Sequence, residues 1–405
     1  MNIMSPKKAI SVLMEAEKNP LLFATDEFIK ARMKLPVLTN LFIEMGPNCN
    51  LKCFHCASDC GTDKKGLPNP EIVNKVLEQA KTSIRSVCLT DGEPLREENR
   101  EVIEVVAKYS NNFFTNTVSN GTFAKTLNDT INWFSFLKNK GIDYSKKNSS
   151  LCISFGKPYN VPTQNYKNIA IAAKEVFPEL DMATFLAYRF INFGDGKDTI
   201  NRVNEIIKII EDLHGKRRKE YISANQHRVN VHIYPKKGKT IKIGLMDCVP
   251  IGRAERLRTY SEIFDKWFPK KELSPDDLYM TYKDGEGIIL LNNGDVSLCD
   301  GFGKFNRNFS YGNINSKPLE EITLDIVKDK FFQAYTLGGV PFIYYVAKQI
   351  NPNFKMIGRT RYHVIREITS DENMISGIRR YLDKNFLGNY KKFASSIDTN
   401  PRRKC

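Results

Sequence analysis

The chain has 405 residues, of which 41% are hydrophobic and 26% charged, and its formal net charge at pH 7 is +15. No apolar run reaches the roughly 20 residues of a membrane-crossing helix, and the start of the chain contains lysine and glutamate instead of a secretory apolar region. We therefore expect a globular cytoplasmic protein without a membrane partner. Its positive charge is compatible with binding to nucleic acid or to an acidic substrate and does not distinguish between them.

Strand-like and helix-like patterns alternate through the first 250 residues. Asn69 followed by Pro70 marks a helix start, because asparagine caps helices and proline suits their first turn. The alternation predicts a parallel sheet with crossover helices, in which the loops after the strands carry the active site. In chain order we expect a helix at 5–18, a strand at 39–46, a helix at 69–83, a strand at 84–90, a helix at 97–109, a strand at 113–119, a helix at 124–140, a strand at 149–155, a helix at 165–176, a strand at 183–190, a helix at 198–213 and strands at 228–234 and 240–250.

The pattern changes in the last third of the chain. The stretch GIILLNNGDVSLC, at residues 287–299, predicts a β-hairpin whose turn is Asn293-Gly294. Helical and loop segments follow it. We expect an N-terminal helical segment at 1–38, an α/β domain at 39–256 and an extension with a basic tail at 257–405.

Three cysteines lie close together in CNLKCFHC, directly after the first expected strand. Structural zinc sites use four ligands, commonly as two pairs, and ferredoxin runs space their cysteines differently. Cys49, Cys53 and Cys56 could hold three corners of an iron–sulfur cubane and leave one iron open. Cys60 follows closely, and we interpret it as a bystander because a fourth thiolate would close that iron. A zinc or redox-inert site stays the alternative.

Four further motifs follow the expected strands in order: TDGEPL at 90–95, VSNGT at 118–122, ISFG at 153–156 and CVPIGRAE at 248–255. Together with the cysteine spacing they resemble the radical S-adenosylmethionine (radical SAM) superfamily. The last motif resembles the subgroup with a SPASM or twitch extension. Taken alone, DGEP and SNG are ordinary turn sequences, and their weight comes from the order of the motifs.

The chain departs from the family pattern at single positions. Asp91 stands where the family has the first glycine of Gly-Gly-Glu-Pro, and Ser119 stands where it has threonine. Gly156 replaces a common acid, and His55 stands where an aromatic residue is usual.

The resemblance implies a partial (β/α)6 TIM barrel of the radical SAM type, an α/β fold, with a C-terminal α+β extension. It also implies one 4Fe-4S cluster held by Cys49, Cys53 and Cys56, with S-adenosylmethionine bound at the open iron. An external one-electron reductant of the flavodoxin or ferredoxin type would then allow a 5′-deoxyadenosyl radical to take a hydrogen atom from the substrate, the cofactor carrying the difficult chemistry.

The resemblance also implies contacts to S-adenosylmethionine. The Gly-Glu-Pro segment would bind the ammonium of the methionine part, and Arg189 would neutralise its carboxylate. Ser119, Asn120 and Ser154 would bind the ribose hydroxyls. Phe54, His55 and the backbone of Val249–Ile251 would flank the adenine. The implied residues are Phe54, His55, Gly92, Glu93, Pro94, Ser119, Asn120, Ser154, Arg189, Val249, Pro250 and Ile251.

The extension lacks the cysteines of an auxiliary cluster. Lys317 stands where the resemblance expects a cysteine, and the next cysteine is Cys405. Cys248 and Cys299 alone cannot fill a cubane. We therefore expect a degenerate extension and one cluster in the chain. Cys299 is a candidate hydrogen-atom donor, and the role of Cys405 stays open.

The substrate class is not fixed by these motifs. The relatives with such an extension suggest a peptide that is epimerised, crosslinked or oxidised. A small-molecule biosynthetic enzyme, acting on a sugar or amino-acid derivative, is the alternative. An RNA-modifying enzyme, suggested only by the net charge, and a non-catalytic zinc-binding protein complete the set.

Overall fold

The computed structural model describes most of the chain between residues 40 and 398. The expected helix at 5–18 lies outside the described residues. The described residues are 40–54, 56, 58–146, 149–155, 159–177, 183–189, 196–214, 218–222, 228–233, 241–247, 271–272, 287–298, 309–355, 357–358 and 361–398, with Thr25 and Glu27; for some of them only the backbone is described.

The chain divides into two compact units. The sheet unit comprises Asn40–Trp267 and Ile289–Asp295, and the helical unit comprises Met1–Thr39, Phe268–Ile288 and Val296–Cys405. The domain boundaries expected from the sequence stay a prediction.

Six strands of the sheet unit pair in parallel in the order β1-β2-β3-β4-β5-β8. Beyond β8 the order continues through β7 to β6, which pair antiparallel, so the described sheet is open. The α/β fold expected from the sequence is confirmed. The strands are β1 Asn40–Glu44, β2 Ser86–Thr90, β3 Phe114–Ser119, β4 Ser150–Phe155, β5 Ala183–Arg189, β6 Arg218–Ile222, β7 Arg228–Ile233 and β8 Ile241–Asp247.

Helices connect the parallel strands, as predicted. Asn69 caps the first helix by accepting a hydrogen bond from the Glu71 N–H, and Thr126 caps the third in the same way. Gly141 ends the third helix with φ of 103°, a left-handed conformation that glycine adopts without strain. The helices are α1 Pro70–Ala80, α2 Arg100–Lys108, α3 Leu127–Lys140, α4 Thr163–Val176 and α5 Gly196–His214.

The core of the sheet unit is built from strand residues that lie beneath these helices. Leu41, Ile43, Val87, Leu151 and Ile153 are fully buried. Such apolar runs are typical of parallel strands covered on both faces, because the crossover helices remove water from each side.

β6 was not predicted, because its sequence lies in the basic run HGKRRKEY, which we interpreted as solvated surface. The strand forms because β7 offers a complete antiparallel partner, with Glu220 opposite Val231 and Ile222 opposite Val229. Charged side chains are common on edge strands, where they discourage pairing with other chains.

The predicted hairpin is present, and its residues are divided between the two units, with the turn in the sheet unit. Gly294 in its turn has φ of 90°. The aromatic ring of Phe342 in α7 packs against Tyr390 and Phe393 of α9, with centroids 5.3 and 5.1 Å apart. The elements are β9 Lys271–Glu272, β10 Gly287–Leu290, β11 Asp295–Leu298, β12 Ser310–Asn313, α6 Leu319–Lys328, α7 Lys330–Ile350, β13 Ile357–Gly358, α8 Arg361–Ser370 and α9 Glu372–Asp398.

Among the described helices, none combines the length and the apolar character that crossing a bilayer requires.

Replacing Tyr144 by phenylalanine tests the packing beside β3. The Tyr144 hydroxyl donates to Thr117 Oγ1 at 2.6 Å, and both side chains are buried. We expect Tyr144→Phe to lower the free energy of unfolding by about 1–2 kcal/mol, because the buried Thr117 oxygen loses its partner. Urea unfolding followed by circular dichroism measures this.

The matched control is Tyr109→Phe, which removes a hydroxyl that is bonded to Asn74 and Glu78 near the surface. Water can replace the Tyr109 hydroxyl as a partner of Asn74 and Glu78, so the free energy of unfolding should fall by less than in Tyr144→Phe. Equal losses in the two variants would contradict the interpretation.

Candidate functional site

The carboxyl ends of parallel strands meet at one edge of the sheet, which is where such folds bind their ligands. β1 leads into the cysteine loop, residues 45–61. β2 leads into the DGEP loop, residues 91–96. β3 leads into the SNG turn, residues 119–121. The topology therefore brings the three sequence motifs together at this edge.

The cysteine loop folds back on itself. Asn48 forms a bridge with Gly61, the Cys49 N–H donates to the Gly61 carbonyl at 3.1 Å, and the Gly61 N–H donates to the Pro47 carbonyl at 2.9 Å. Gly46, at φ of 88°, allows the backbone of Gly66 to pass close to it, since a Cβ at Gly46 would lie 2.4 Å from the carbonyl oxygen of Gly66. The cysteines therefore lie on a closed loop.

The thiols of this loop are in contact with the neighbouring loops. The Cys60 N–H donates to Cys56 Sγ at 3.2 Å, and the Gly92 N–H donates to Cys60 Sγ at 3.2 Å. On the other side, Asn120 Nδ2 lies 3.8 Å from Cys49 Sγ. The DGEP loop thus contacts one end of the cysteine loop and the SNG turn contacts the other.

The thiols differ in their acidity. The hydrogen bond with Cys60 lowers the pKa of Cys56 to about 6, whereas burial raises the pKa of Cys49 to about 11. The lowering favours the thiolate form of Cys56, which is the form that binds metal.

The donor chemistry suits an iron–sulfur cluster, because free thiols on one loop are the ligands that such clusters take. Within the described part of the chain, no three histidine, cysteine or acidic side chains are grouped closely enough to hold a metal ion. Cys49, Cys53 and Cys56 have the donor chemistry that such a cluster takes.

Glu93 joins the DGEP loop to the SNG turn. Its carboxylate is fully buried and accepts hydrogen bonds from the Leu95 N–H at 3.0 Å, the Ser119 hydroxyl at 2.7 Å and the Asn120 N–H at 2.7 Å. Burial raises the pKa of Glu93, and the three donors oppose that rise. The carboxylate thus fixes the relative position of the two loops.

Asn120 joins the SNG turn to the cysteine loop. Its Nδ2 donates to Asn50 Oδ1 at 3.0 Å, and its Oδ1 accepts from the Thr122 N–H at 3.0 Å and the Thr122 hydroxyl at 2.6 Å. Asn50 Nδ2 in turn donates to the Thr122 hydroxyl. The three polar side chains form one network beside Cys49.

Arg96 is a site residue that the sequence analysis missed. Its Nη1 donates to Asn48 Oδ1 at 3.0 Å and approaches the Asn48 carbonyl at 3.4 Å, directly before Cys49. Its Nη2 pairs with Glu98 at 2.7 Å. Asn50 and Thr122 were missed as well. The position of Arg96 directly after the Gly-Glu-Pro-Leu segment was the available signal.

Of the residues expected to bind S-adenosylmethionine, the structure brings together those of the DGEP loop and the SNG turn, and two of these bond to each other. The Ser119 hydroxyl donates to Glu93 and accepts from the Gly121 N–H at 3.1 Å. Pro94 and Ser154 are buried and Phe54 is half-buried. Their contacts to a ligand stay predictions.

Several expected residues cannot be placed. Only the backbone of Arg189 is described, at the end of β5. The others lie outside the described residues: His55, Val249, Pro250, Ile251 and Cys299, as do Cys248, Gly156 and Cys405.

No family model matches the chain. Two curated proteins match part of it, each named probable GTP 3′,8-cyclase. The one from Pyrococcus abyssi is 32% identical over 186 residues, which are 43% of this chain and 56% of the relative. The one from Pyrococcus horikoshii is 30% identical over 183 residues, with the same shares of each chain. The chain therefore spans about half the length of the curated relatives it matches.

Among solved structures, native anSMEcpe with bound AdoMet and Cp18Cys peptide is similar with a TM-score of 0.43 and 14% sequence identity. The match covers 88% of this chain and 99% of that one. Likeness at this level assigns no function.

Replacing Gly92 by alanine tests how closely the DGEP loop and the cysteine loop approach. A Cβ at Gly92 would lie 2.5 Å from the Gly46 carbonyl oxygen and 2.8 Å from that of Asn48, and φ is 60°. We expect Gly92→Ala to separate the loops and to increase the reactivity of buried Cys60 towards a thiol reagent at least about tenfold, because local opening exposes the thiol.

The control is Gly377→Ala in α9, where the nearest atom, on Ile350, would lie 3.4 Å from the new Cβ. This variant should leave thiol reactivity unchanged. Unchanged reactivity in Gly92→Ala would show that the two loops accommodate a Cβ without separating, and would contradict the prediction.

Replacing Glu93 by glutamine tests the buried carboxylate through pH. Because burial raises the pKa of Glu93 above its value in the unfolded chain, the stability that it contributes is full below the unfolded pKa and is lost as pH rises through the folded pKa. The free energy of unfolding of the native protein minus that of Glu93→Gln should therefore fall as pH rises from 4 to 8.

Denaturant unfolding at several pH values measures this difference. Glu175→Gln, the same substitution at an exposed position of α4, is the matched control. A difference for Glu93 that increases with pH would mean that its three donors outweigh burial, and a flat one that they balance it; either result would contradict the prediction.

Proposed function

We propose that the protein is a radical SAM enzyme that binds one 4Fe-4S cluster and S-adenosylmethionine and removes a hydrogen atom from its substrate. The observation that carries this proposal is the contact of three loops, the cysteine loop, the DGEP loop and the SNG turn, at one edge of a parallel sheet. The partial likeness to probable GTP 3′,8-cyclases supports an enzyme.

Cys49, Cys53 and Cys56 hold the cluster in this proposal. Bound together, the cluster and S-adenosylmethionine would supply reductive cleavage of a sulfur–carbon bond of S-adenosylmethionine and the resulting 5′-deoxyadenosyl radical. Cys60 is not a ligand in this proposal, because a fourth thiolate would close the iron that must stay open. Its sulfur accepts the Gly92 N–H and lies against the carbonyls of Gly46 and Ser58. It acts instead as a contact between two loops.

The DGEP loop positions the ligand through its backbone. Asp91 and Gly92 both have positive φ, at 61° and 60°, so the chain turns sharply and passes close to the cysteine loop. Glu93 is buried beneath this turn and holds it against the SNG turn. Asn99 completes the support by donating to the Glu93 carbonyl at 2.9 Å. A rigid support of this kind is what orientation of a reactive ligand requires.

The extension fits a protein with a single cluster. Lys317, at the position where the resemblance expects a cysteine, forms an ion pair with Asp325 of α6. The ammonium group is thus paired within the helical unit. A degenerate SPASM- or twitch-like extension stays part of the proposal, as does the external one-electron reductant.

A peptide is the substrate class that we propose first, because many members of the subgroup that the extension resembles act on peptides. The small-molecule alternative is favoured by two observations. The curated relatives are named for a nucleotide substrate. A groove of about 460 Å³ beside the cysteine loop, lined by Asn50, Arg96, Thr122, Phe123 and Trp133 among others, is of a size that suits a small polar molecule.

Metal analysis of anaerobically purified protein tests the proposal. We expect about four iron and four sulfide per chain, and 5′-deoxyadenosine after reduction in the presence of S-adenosylmethionine. Cys53→Ala should lose both the cluster and the product, whereas Cys88→Ala, a substitution inside β2, should keep both.

Zinc in place of iron would refute the proposal and favour the non-catalytic metal module. RNA binding that weakens steeply with salt would favour the nucleic-acid alternative. Stimulation of 5′-deoxyadenosine formation by short peptides or by nucleotides separates the two substrate classes.

A further inference from the structure

The DGEP loop carries a charge at a position where the resemblance expects a glycine. Asp91 has φ of 61°, a left-handed conformation that costs most side chains free energy but that aspartate tolerates better than most. A glycine would adopt this conformation without strain. Asp91 thus places a carboxylate in a turn where glycine would be free of backbone strain.

The side chain of Asp91 reaches the cysteine loop. Its Oδ1 accepts a hydrogen bond from the Ser58 hydroxyl, and Ser58 lies between Cys56 and Cys60. Both residues are half-buried. The contact joins the DGEP loop to the part of the cysteine loop that contains the Cys56–Cys60 pair.

Asp91 lies beside two contacts of the cysteine loop. Ser58, which donates to its carboxylate, stands two positions after Cys56, and the N–H of the next residue, Gly92, donates to Cys60 Sγ at 3.2 Å. A carboxylate held there opposes further negative charge on whatever the neighbouring sulfur atoms hold.

We propose that Asp91 is a positioning residue that fixes the cysteine loop through Ser58 and, by its charge, lowers the reduction potential of the bound cluster. This inference rests on the proposed function. One-electron reduction by the external donor adds one negative charge to the cluster without breaking a ligand bond. A carboxylate in a partly buried position disfavours that added charge, because its field is weakly screened there. Net charge and hydrogen bonds near the sulfurs are recognised determinants of such potentials.

Asp63, a second aspartate near the cysteine loop, is the control for Asp91. It is exposed and pairs with Lys52 at 2.8 Å, so removing its charge should change the reduction potential little. Ser58→Ala removes the hydrogen bond and keeps the charge. Asp91→Asn removes the charge and keeps an acceptor oxygen. Asp91→Gly removes both, together with the left-handed strain.

The test is an EPR-monitored redox titration of the full chain, reconstituted anaerobically with iron and sulfide, using dithionite and mediators. We expect a more positive potential in Asp91→Asn and Asp91→Gly, a smaller shift in Ser58→Ala and none in Asp63→Asn. Iron and sulfide content is measured in every sample, which confirms that the potentials belong to intact clusters.

Equal potentials in the native protein and in Asp91→Asn, at equal iron content, would overturn the inference and leave the proposed function intact. If Asp91→Asn does not bind a cluster, Asp91→Gly decides by the same comparison, because glycine suits this backbone. A native protein that holds no iron–sulfur cluster would overturn both the proposed function and the inference.

Discussion

The buried carboxylate of Glu93 is the constraint on which the site depends. An ionisable group without water is costly unless hydrogen-bond donors surround it. Here the donors come from the DGEP loop itself and from the SNG turn, at Ser119 and Asn120. Because the cost of burial is offset only when both loops keep their positions, this carboxylate couples the end of β2 to the end of β3.

The cysteine loop is attached to this pair of loops at both of its ends. The Gly92 N–H reaches Cys60, and the Asn120 amide lies beside Cys49 and bonds Asn50. Backbone and amide groups near sulfur are the usual means by which a protein controls a thiolate-held metal centre. The loop that would hold the cluster is therefore positioned by the same elements that would position its ligand.

Much of the fold follows from local sequence, and the site follows only in part. The parallel strands and their helices were predicted because apolar periodicity and caps such as Asn69 are local signals. β6 depends on its partner β7, so its own charged sequence gave no strand signal. The bond between Ser119 and Glu93 joins side chains 26 positions apart, and that between Arg96 and Asn48 spans 48. Such pairings come from the tertiary fold, which is why the motifs indicated the site without indicating which oxygens are already bonded.

The central claim is that the loop holds an iron–sulfur cubane with one iron that no cysteine ligates. Mössbauer spectroscopy of the chain reconstituted with ⁵⁷Fe, before and after addition of S-adenosylmethionine, tests this most directly. The account predicts that one iron of the cluster changes its isomer shift and quadrupole splitting when S-adenosylmethionine binds, while the other irons keep theirs. A spectrum that S-adenosylmethionine leaves unchanged, with every iron in a sulfur-only environment, would mean that Cys60 closes the cluster and would contradict the account.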